Sequence, residues 1–316
     1  MNECVQACSS LLWQYCYDKL MSGFSNIVII YNPRSTGPSE ETARVLIDDL
    51  RQEGVDRDIK LISTEHAGHA EEISYKESLA ATRPLIVSSS GDGGYHEVVN
   101  GVMRAKLEGA EPVASLLPSG NANDHWRTLS GEGLAARIAK ASTVWIDLLY
   151  VQAKTREGVA IERYVHSYAG IGMTSYAGQR LNEESLGHLK QMLLVLNSLF
   201  SAPAEVIKVD GKYRRYDSLT FANIGGMAKY LSVSDVAKPD DGRFEVLSLR
   251  RRSRFLILLS LLKAATVGLR EDSQVDSFSF STIKDTTIQI DGEIYDVPQK
   301  ASVEITIKPQ VLECVI

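Results

Sequence analysis

The sequence predicts an α/β domain, built on a parallel sheet with flanking helices, followed by a β-rich domain of the β-sandwich type. A β-branched run, a polar loop and a helical pattern recur four times before about residue 145, and short strand patterns separated by turns predominate after it. The length of 316 residues also suits two domains, at roughly 150 residues each. We therefore expect a helical extension over residues 1–25, a nucleotide-binding α/β domain over 26–145, and a β-rich domain over 146–316 whose end packs back on the first.

The early strand candidates are short apolar runs, each followed by a loop and then by a helical pattern. The strands are predicted at Asn26–Tyr31, Ile59–Ile62, Pro84–Val87 and Val113–Leu117, and the helices over Glu40–Leu50 and after Gly68, Gly94 and Asn123. Because the carboxyl ends of parallel strands meet at one edge of a sheet, we expect the four loops to lie together there and to bind a ligand.

The second half is predicted to consist mostly of strands, interrupted by one helix over Phe255–Leu269. The strand candidates are Val144–Leu148, Leu219–Phe221, Phe244–Leu247, Thr287–Ile290 and Val303–Ile307.

Composition excludes several classes of protein. A hydrophobic content of 44% with 23% charged residues is typical of a globular chain and excludes a largely disordered one. The formal net charge of −6 argues against a general nucleic-acid-binding protein, so we expect no nucleic-acid partner. Neither a membrane-spanning run nor a secretory signal is expected. The four cysteines form no CxxC pair, which disfavours zinc and favours a reduced, cytoplasmic compartment.

The most informative loop follows the third strand and reads Ser90-Gly91-Asp92-Gly93-Gly94-Tyr95-His96. Glycines let the backbone approach a ligand, and the helix that follows directs its free N–H groups to the same place. The dinucleotide fingerprint requires a glycine where His96 stands, and the chain contains no P-loop. Asp92 would repel a bare phosphate, so it is better suited to a magnesium ion or a substrate hydroxyl. A ligand-free turn is the alternative.

The other three loops also carry hydrogen-bonding side chains. They contain Asn32-Pro33-Arg34-Ser35-Thr36 after the first strand, Thr64 and Gly68-His69-Ala70 after the second, and Pro118 to Asp124, with Asn121 and Asn123, after the fourth. Each loop alone is explained by a turn or a helix cap. Their recurrence at the same topological place is what favours a ligand site.

With these motifs in this order, the chain resembles the diacylglycerol kinase and sphingosine kinase family of lipid kinases. That family shares its nucleotide-binding architecture with NAD kinases and phosphofructokinases. Two later motifs extend the resemblance, Lys238-Pro239-Asp240-Asp241-Gly242 and Asp291-Gly292-Glu293. Ser90, Gly94 and Asn121 depart from the usual diacylglycerol branch, and the motifs around Ser90 and Asn121 look closer to the sphingosine branch. Asn123-Asp124 and the motif from Lys238 to Gly242 look closer to bacterial diacylglycerol kinases. The acceptor lipid therefore stays open.

The resemblance implies a magnesium-dependent enzyme that transfers the γ-phosphoryl group of ATP to a lipid hydroxyl. Glu293 is the first candidate for the base and Asp92 the second, with Asp291 in the same catalytic group. A metal ion is expected at Asp241, together with the carbonyls of Lys238 and Arg243. ATP contacts are expected from Asn32, Pro33, Arg34, Ser35, Thr36, Thr64, Ser90, Gly91, Asp92, Gly93, Gly94, Tyr95, His96, Asn121, Asn123 and Asp124.

A lipid kinase must also reach a membrane surface. Arg250, Arg251 and Arg252 precede the apolar run Phe255–Leu262, which suits peripheral contact with anionic headgroups, although a buried helix with a charged entry is the alternative. The N-terminal segment is a rival membrane contact, and a homodimer is left open.

Two other function classes remain: a kinase for a soluble acceptor, resembling NAD kinases, and a non-catalytic nucleotide- or lipid-binding protein.

Overall fold

The computed structural model describes residues 23–120, 122–129, 133–176, 202–227, 231–232, 238–250 and 273–316. The predicted N-terminal helix up to residue 22, the predicted helix Phe255–Leu269, Asn121, Arg251 and Arg252 lie outside the described residues, as does the side chain of Arg250. The predicted fold class is confirmed, because helices flank a parallel sheet in the first half and strands predominate in the second.

Strands and helices alternate through the first half. The elements are β1 (Ile27–Tyr31), α1 (Ser39–Gln52), β2 (Ile59–Ser63), α2 (His69–Leu79), β3 (Leu85–Ser90), α3 (Asp92–Leu107), β4 (Val113–Pro118), α4 (Asp124–Leu129) and α5 (Leu134–Ala139). β1 pairs in parallel with β2 and β3, and β3 pairs in parallel with β4. Every residue of β3 is buried, as expected for a central strand covered by helices on both faces.

The second half forms antiparallel ladders around one apolar core that includes Leu149, Phe221, Phe244 and Ile290. Its strands are β5 (Val144–Thr155), β6 (Gly158–Val165), β7 (Tyr168–Gly172), β8 (Glu205–Val209), β9 (Lys212–Ala222), β10 (Gly226–Met227), β11 (Leu231–Ser232), β12 (Phe244–Arg250), β13 (Ser273–Val275), β14 (Ser277–Thr282), β15 (Thr286–Ile290), β16 (Glu293–Val297) and β17 (Ser302–Val315).

The last strand belongs to both halves of the molecule. β17 pairs antiparallel with β14 and β5, and beyond a register shift between Lys308 and Leu312 it pairs in parallel with β4. Leu312 and Cys314 are fully buried in the core that also holds α3. The end of the chain therefore completes the sheet of the first half.

This closure brings one edge of the first sheet against two connections of the second half. The amide of Asp291, in the β15–β16 turn, donates to the carbonyl of Tyr168 at the start of β7 (3.0 Å). The imidazole Nε2 of His166, just before β7, lies 3.2 Å from the carbonyl oxygen of Asp92. The candidate site is built where these segments meet.

We expect Leu312→Ala to lower the free energy of unfolding by about 2–5 kcal/mol, the usual effect of truncating a fully buried leucine. Leu312 is 0% exposed, whereas Leu107 is 77% exposed, so Leu107→Ala should change stability by no more than about 0.5 kcal/mol. Urea denaturation followed by circular dichroism measures both. Equal midpoints for the two variants would contradict the role assigned to β17.

Candidate active site

Three of the four predicted ligand loops are held together by close backbone contacts. A Cβ on Gly120 would lie 2.3 Å from the Cα of Gly91, so only glycine permits this approach of the loops after β3 and β4. The amide of Ser119 donates to the carbonyl of Ser90 (2.9 Å). The hydroxyl of Ser35 donates to the carbonyl of Ser119 (2.9 Å), which adds the loop after β1.

The side chain of Ser90 occupies space that is free only because residue 94 is glycine. A Cβ at position 94 would lie 2.5 Å from Oγ and 2.7 Å from Cβ of Ser90, so the serine side chain occupies the space that a larger residue at 94 requires. The Ser90 side chain therefore fills the space between the end of β3 and α3 that Gly94 leaves open.

Asp92 begins α3 and joins it to α4. Its carboxylate accepts hydrogen bonds from the amides of Asp124 (3.1 Å) and His125 (3.3 Å). Burial and the neighbouring Asp124 raise the pKa of Asp92 to about 7, although the two amides oppose the rise. A cation bound beside Asp92 would reverse that shift, because it favours the charged form.

The distant carboxylate Glu293 reaches the same turn of α3. A Cβ on Gly93 would lie 2.6 Å from Oε1 of Glu293, so the glycine next to Asp92 is in contact with Glu293. Glu293 is partly buried, and burial raises the pKa of its carboxyl group. Glu293, although remote in sequence, therefore lies against the residue that follows Asp92.

Asp291 and Gly292 form the tight turn between β15 and β16, with φ of 48° and 102°. The Asp291 carboxylate is 1% exposed and accepts hydrogen bonds from the amides of His166 (2.9 Å), Ser167 (2.9 Å) and Tyr168 (3.1 Å), and it pairs with Nδ1 of His96 (3.0 Å). Burial alone would raise the pKa of Asp291, but His166, His96 and the His166 amide outweigh it and bring the pKa down to about 2.

This burial corrects three sequence-based predictions. Tyr95 is 0% exposed and packs against the rings of His125 and His166, and His96 is 1% exposed. Their side chains therefore belong to the core and cannot contact a nucleotide. Asp291 likewise has no access to a substrate hydroxyl, so it anchors the turn that presents Glu293. An apolar stripe on α3 already indicated burial for Tyr95; nothing in the spacing indicated it for His96.

The remaining predicted residues lie in the loops around this centre. Pro33, Arg34 and Thr36 are exposed, and the side-chain oxygen of Asn32 accepts the amide of Arg34 (2.9 Å). The amide of Thr64 donates to the carbonyl of Tyr31.

The loop after β4 closes on itself before α4 begins. Asn123, at a φ of 51°, bonds to both the amide and the carbonyl of Gly120 (3.0 and 2.9 Å). Asp124 is buried and accepts the hydroxyl of Tyr168 (3.3 Å).

The predicted metal loop is fixed by an acid that the sequence reasoning missed. Asp147, fully buried in β5, accepts the amides of Gly242 and Gln310 (2.7 Å each), and its own amide donates to the carbonyl of Pro239 (2.6 Å). An acid inside the apolar run Val144–Leu148 was the available signal.

Asp241 is exposed and accepts the amide of Arg243 (3.0 Å) and the Gln274 side chain (3.3 Å), which leaves carboxylate lone pairs free for a hard cation.

Two buried histidines were also missed, because nothing in their spacing marks them. His125 and His166 pack 4.8 Å apart behind Asp92, and burial lowers the pKa of both, so both are neutral at pH 7. The ring of His166 also approaches the hydroxyl of Ser167 (2.8 Å). The two neutral imidazoles therefore give Asp92 polar neighbours that carry no charge.

Comparisons with known proteins agree with this architecture. Residues 26–151 match the family model of the diacylglycerol kinase catalytic domain. The chain is 29% identical over 255 residues to a diacylglycerol kinase of Bacillus subtilis, covering 77% of this chain and 78% of that protein. It is 26% identical over 282 residues to a diacylglycerol kinase of Staphylococcus epidermidis, covering 84% of each.

A crystal structure of a diacylglycerol kinase from Bacillus anthracis superimposes with a TM-score of 0.67 at 16% identity, covering 92% of this chain and 97% of the other. That likeness concerns the fold. The sequence matches confirm the resemblance to the diacylglycerol kinase-like lipid kinases and show that the chain is a kinase. Within the described residues, no helix is long and apolar enough to cross a membrane.

The raised pKa of Asp92 predicts a specific pH dependence of stability. The folded state holds a proton on Asp92 that the unfolded state releases near its ordinary pKa of 3.8, so this stabilisation is lost as pH rises towards about 7. Asp92→Asn cannot ionise, and its free energy of unfolding should fall less between pH 4 and 7.5 than that of the unsubstituted protein. Urea titrations in EDTA measure this difference.

The exposed Asp56 provides the matched control, since Asp56→Asn should leave the pH dependence unchanged. The pKa of Glu293 is also raised, so Glu293 makes stability fall with pH in every variant compared. The difference between Asp92→Asn and the unsubstituted protein therefore reports on Asp92 alone. Parallel curves for Asp92→Asn and the unsubstituted protein would disprove the elevated pKa.

Proposed function

We propose that this protein transfers the γ-phosphoryl group of ATP, with magnesium, to the hydroxyl of a membrane lipid, because residues 26–151 match the family model of the diacylglycerol kinase catalytic domain. Diacylglycerol is the first acceptor to consider, since relatives of this chain are named diacylglycerol kinases. A sphingoid base is the alternative, suggested by the motifs around Ser90 and Asn121.

One observation carries this proposal. Glu293, from the second half of the chain, lies against Gly93 in the first turn of α3, beside the loops that suit phosphate groups. Phosphoryl transfer needs little covalent chemistry from the protein; it needs alignment, neutralised charge and a base near the acceptor hydroxyl. In this proposal the loops after β1, β3 and β4 align the nucleotide, and Glu293 supplies the base.

The environments of the two carboxylates favour Glu293 as the base. The oxygens of Asp92 already accept two backbone amides, and its position is fixed between α3 and α4. Glu293 is partly buried and its pKa is raised, so it is a better proton acceptor than an ordinary exposed glutamate. In this proposal Glu293 accepts the proton of the lipid hydroxyl.

The loops and acids of the cleft fit a magnesium nucleotide. ATP supplies the phosphoryl group, and magnesium neutralises the charge of its phosphates. Backbone donors at Gly91 to Gly94 and the exposed Arg34 would face the phosphates, and the partly buried Asp92 would hold the cation near them. A second magnesium would be held by Asp241 with the carbonyls of Lys238 and Arg243, in the loop that Asp147 fixes.

A lipid acceptor requires peripheral contact with a bilayer, and we include that contact in the proposal. Sedimentation with liposomes containing phosphatidylglycerol tests it directly. Binding to anionic but not to neutral vesicles is the expected result, because basic residues near anionic headgroups each contribute roughly 1 kcal/mol. Protein that stays in the supernatant with both kinds of vesicle would contradict it.

We expect Glu293→Gln to lower kcat by at least about 100-fold, the low end of what a positioned base contributes, with little change in the KM for ATP. Radiolabelled ATP and mixed micelles of diacylglycerol, monoacylglycerol, ceramide and sphingoid bases provide the assay. The exposed Glu157, in the β5–β6 turn, gives the matched control Glu157→Gln, which should keep full activity.

Phosphate transfer to NAD, or to no acceptor at all, would reject the lipid kinase assignment. Full activity of Glu293→Gln together with an inactive Asp92→Asn would instead assign the base to Asp92.

A further inference from the structure

The residues two before and two after Glu293 both bind to the same imidazole. Asp291 Oδ2 lies 3.0 Å from Nδ1 of His96, and the hydroxyl of Tyr295 lies 3.0 Å from Nε2 of the same ring. His96 is one helical turn after Gly93 on α3, and Gly93 is the residue that Glu293 contacts. One side chain thus holds both flanks of Glu293 against α3.

The donors and acceptors of this arrangement fix the form of the imidazole. Asp291 is ionised and can only accept, so Nδ1 of His96 must carry a hydrogen and donate it. The second ring nitrogen, Nε2, makes the hydrogen bond with the hydroxyl of Tyr295. The oxygen of Tyr295 in turn accepts Nε of Arg163 on β6 (3.3 Å), whose guanidinium lies 3.7 Å from Glu71 on α2. The hydrogen bonds of His96 thus continue through Tyr295 to a second charged residue.

Burial makes the two imidazole contacts effective. His96 is 1% exposed and Asp291 is 1% exposed, so water does not compete for the hydrogen bond between them, and the bond to Tyr295 is partly buried. Asp291 also fixes the start of β16 through three backbone amides. The Tyr295 contact is the only side-chain hydrogen bond to α3 that the described part of the chain shows for β16 itself.

We propose that His96 is a positioning residue for the reaction, and that it sets the distance of Glu293 from the first turn of α3 by holding Asp291 and Tyr295 together. This inference rests on the proposed function, because the base is what His96 positions. Small misplacements of a reacting group cost up to about 100-fold in rate, so the loss of both contacts should appear in kcat.

The test is a double-mutant comparison in the full-length protein. His96→Ala should lower kcat by about 10- to 100-fold with less than a twofold change in the KM for ATP. In the Glu293→Gln background, the same substitution should cause no further loss of kcat, since the base is already gone. Equal losses in the two backgrounds would show a general structural effect and overturn the proposal.

Tyr295→Phe covers the case in which His96→Ala does not fold, because it removes one hydroxyl and keeps the ring. It should lower kcat less than His96→Ala does, and the two effects should not add. Tyr75→Phe is the matched control: the Tyr75 hydroxyl bonds to Glu108 beyond the other end of α3, and its loss should leave kcat unchanged. A Tyr295→Phe enzyme with full kcat would overturn the proposal.

Hydrogen–deuterium exchange separates this inference from the proposed function. Amides of residues 293–297 should exchange faster in Tyr295→Phe and in His96→Ala than in the unsubstituted protein, whether or not any lipid is phosphorylated. Faster exchange without kinase activity would support the contacts while the proposed function fails. Unchanged exchange in both variants would reject the contacts themselves.

Discussion

The buried carboxylate of Asp291 is the interaction on which the site depends. It accepts three consecutive backbone amides before and at the start of β7 and pairs with His96 on α3, so a single acid joins elements from both halves of the chain. Such a carboxylate is stable in the interior only because its hydrogen-bonding capacity is filled. Removing any donor would leave charge unsatisfied in the core, which is why the turn and Glu293 have one position rather than several.

Close backbone packing imposes the second constraint. At Gly91 and Gly120 two loops touch without side chains between them, and at Gly94 the space belongs to Ser90. These contacts set the spacing of the loops that face the cleft. A substitution there acts through geometry rather than through chemistry, and its effects spread to the loop after β1 because Ser35 bonds to Ser119.

Local patterns in the sequence were sufficient to predict the strands of the first sheet and the loops that converge at its edge, because each unit repeats the same run of apolar and polar residues. The approach of Glu293 to the helix turn that begins with Asp92 was expected from motif order rather than from any local pattern. The burial of His96 and the role of Asp147 were missed, because they depend on pairings between residues far apart in the chain, whereas the apolar stripe of α3 indicated the burial of Tyr95. The return of the chain end to the first sheet was expected, but its pairing was not: β17 keeps β5 on one side and exchanges β14 for β4 on the other, across a register shift between Lys308 and Leu312 that no local pattern indicates.

The two acids of the β15–β16 turn show how position divides roles between identical groups. Asp291 is buried, where imidazoles and amides hold its pKa at about 2, whereas burial raises the pKa of the Glu293 carboxyl group, although His96 opposes that rise. Environments that separate two carboxyl groups in this way suit one to permanent charge and the other to proton transfer. Because His96 contacts both flanks of Glu293, the side chain that helps to keep Asp291 charged would, in the proposed reaction, also determine where the proton acceptor lies. The proposal therefore couples the ionisation of Asp291 and the position of Glu293 through one imidazole.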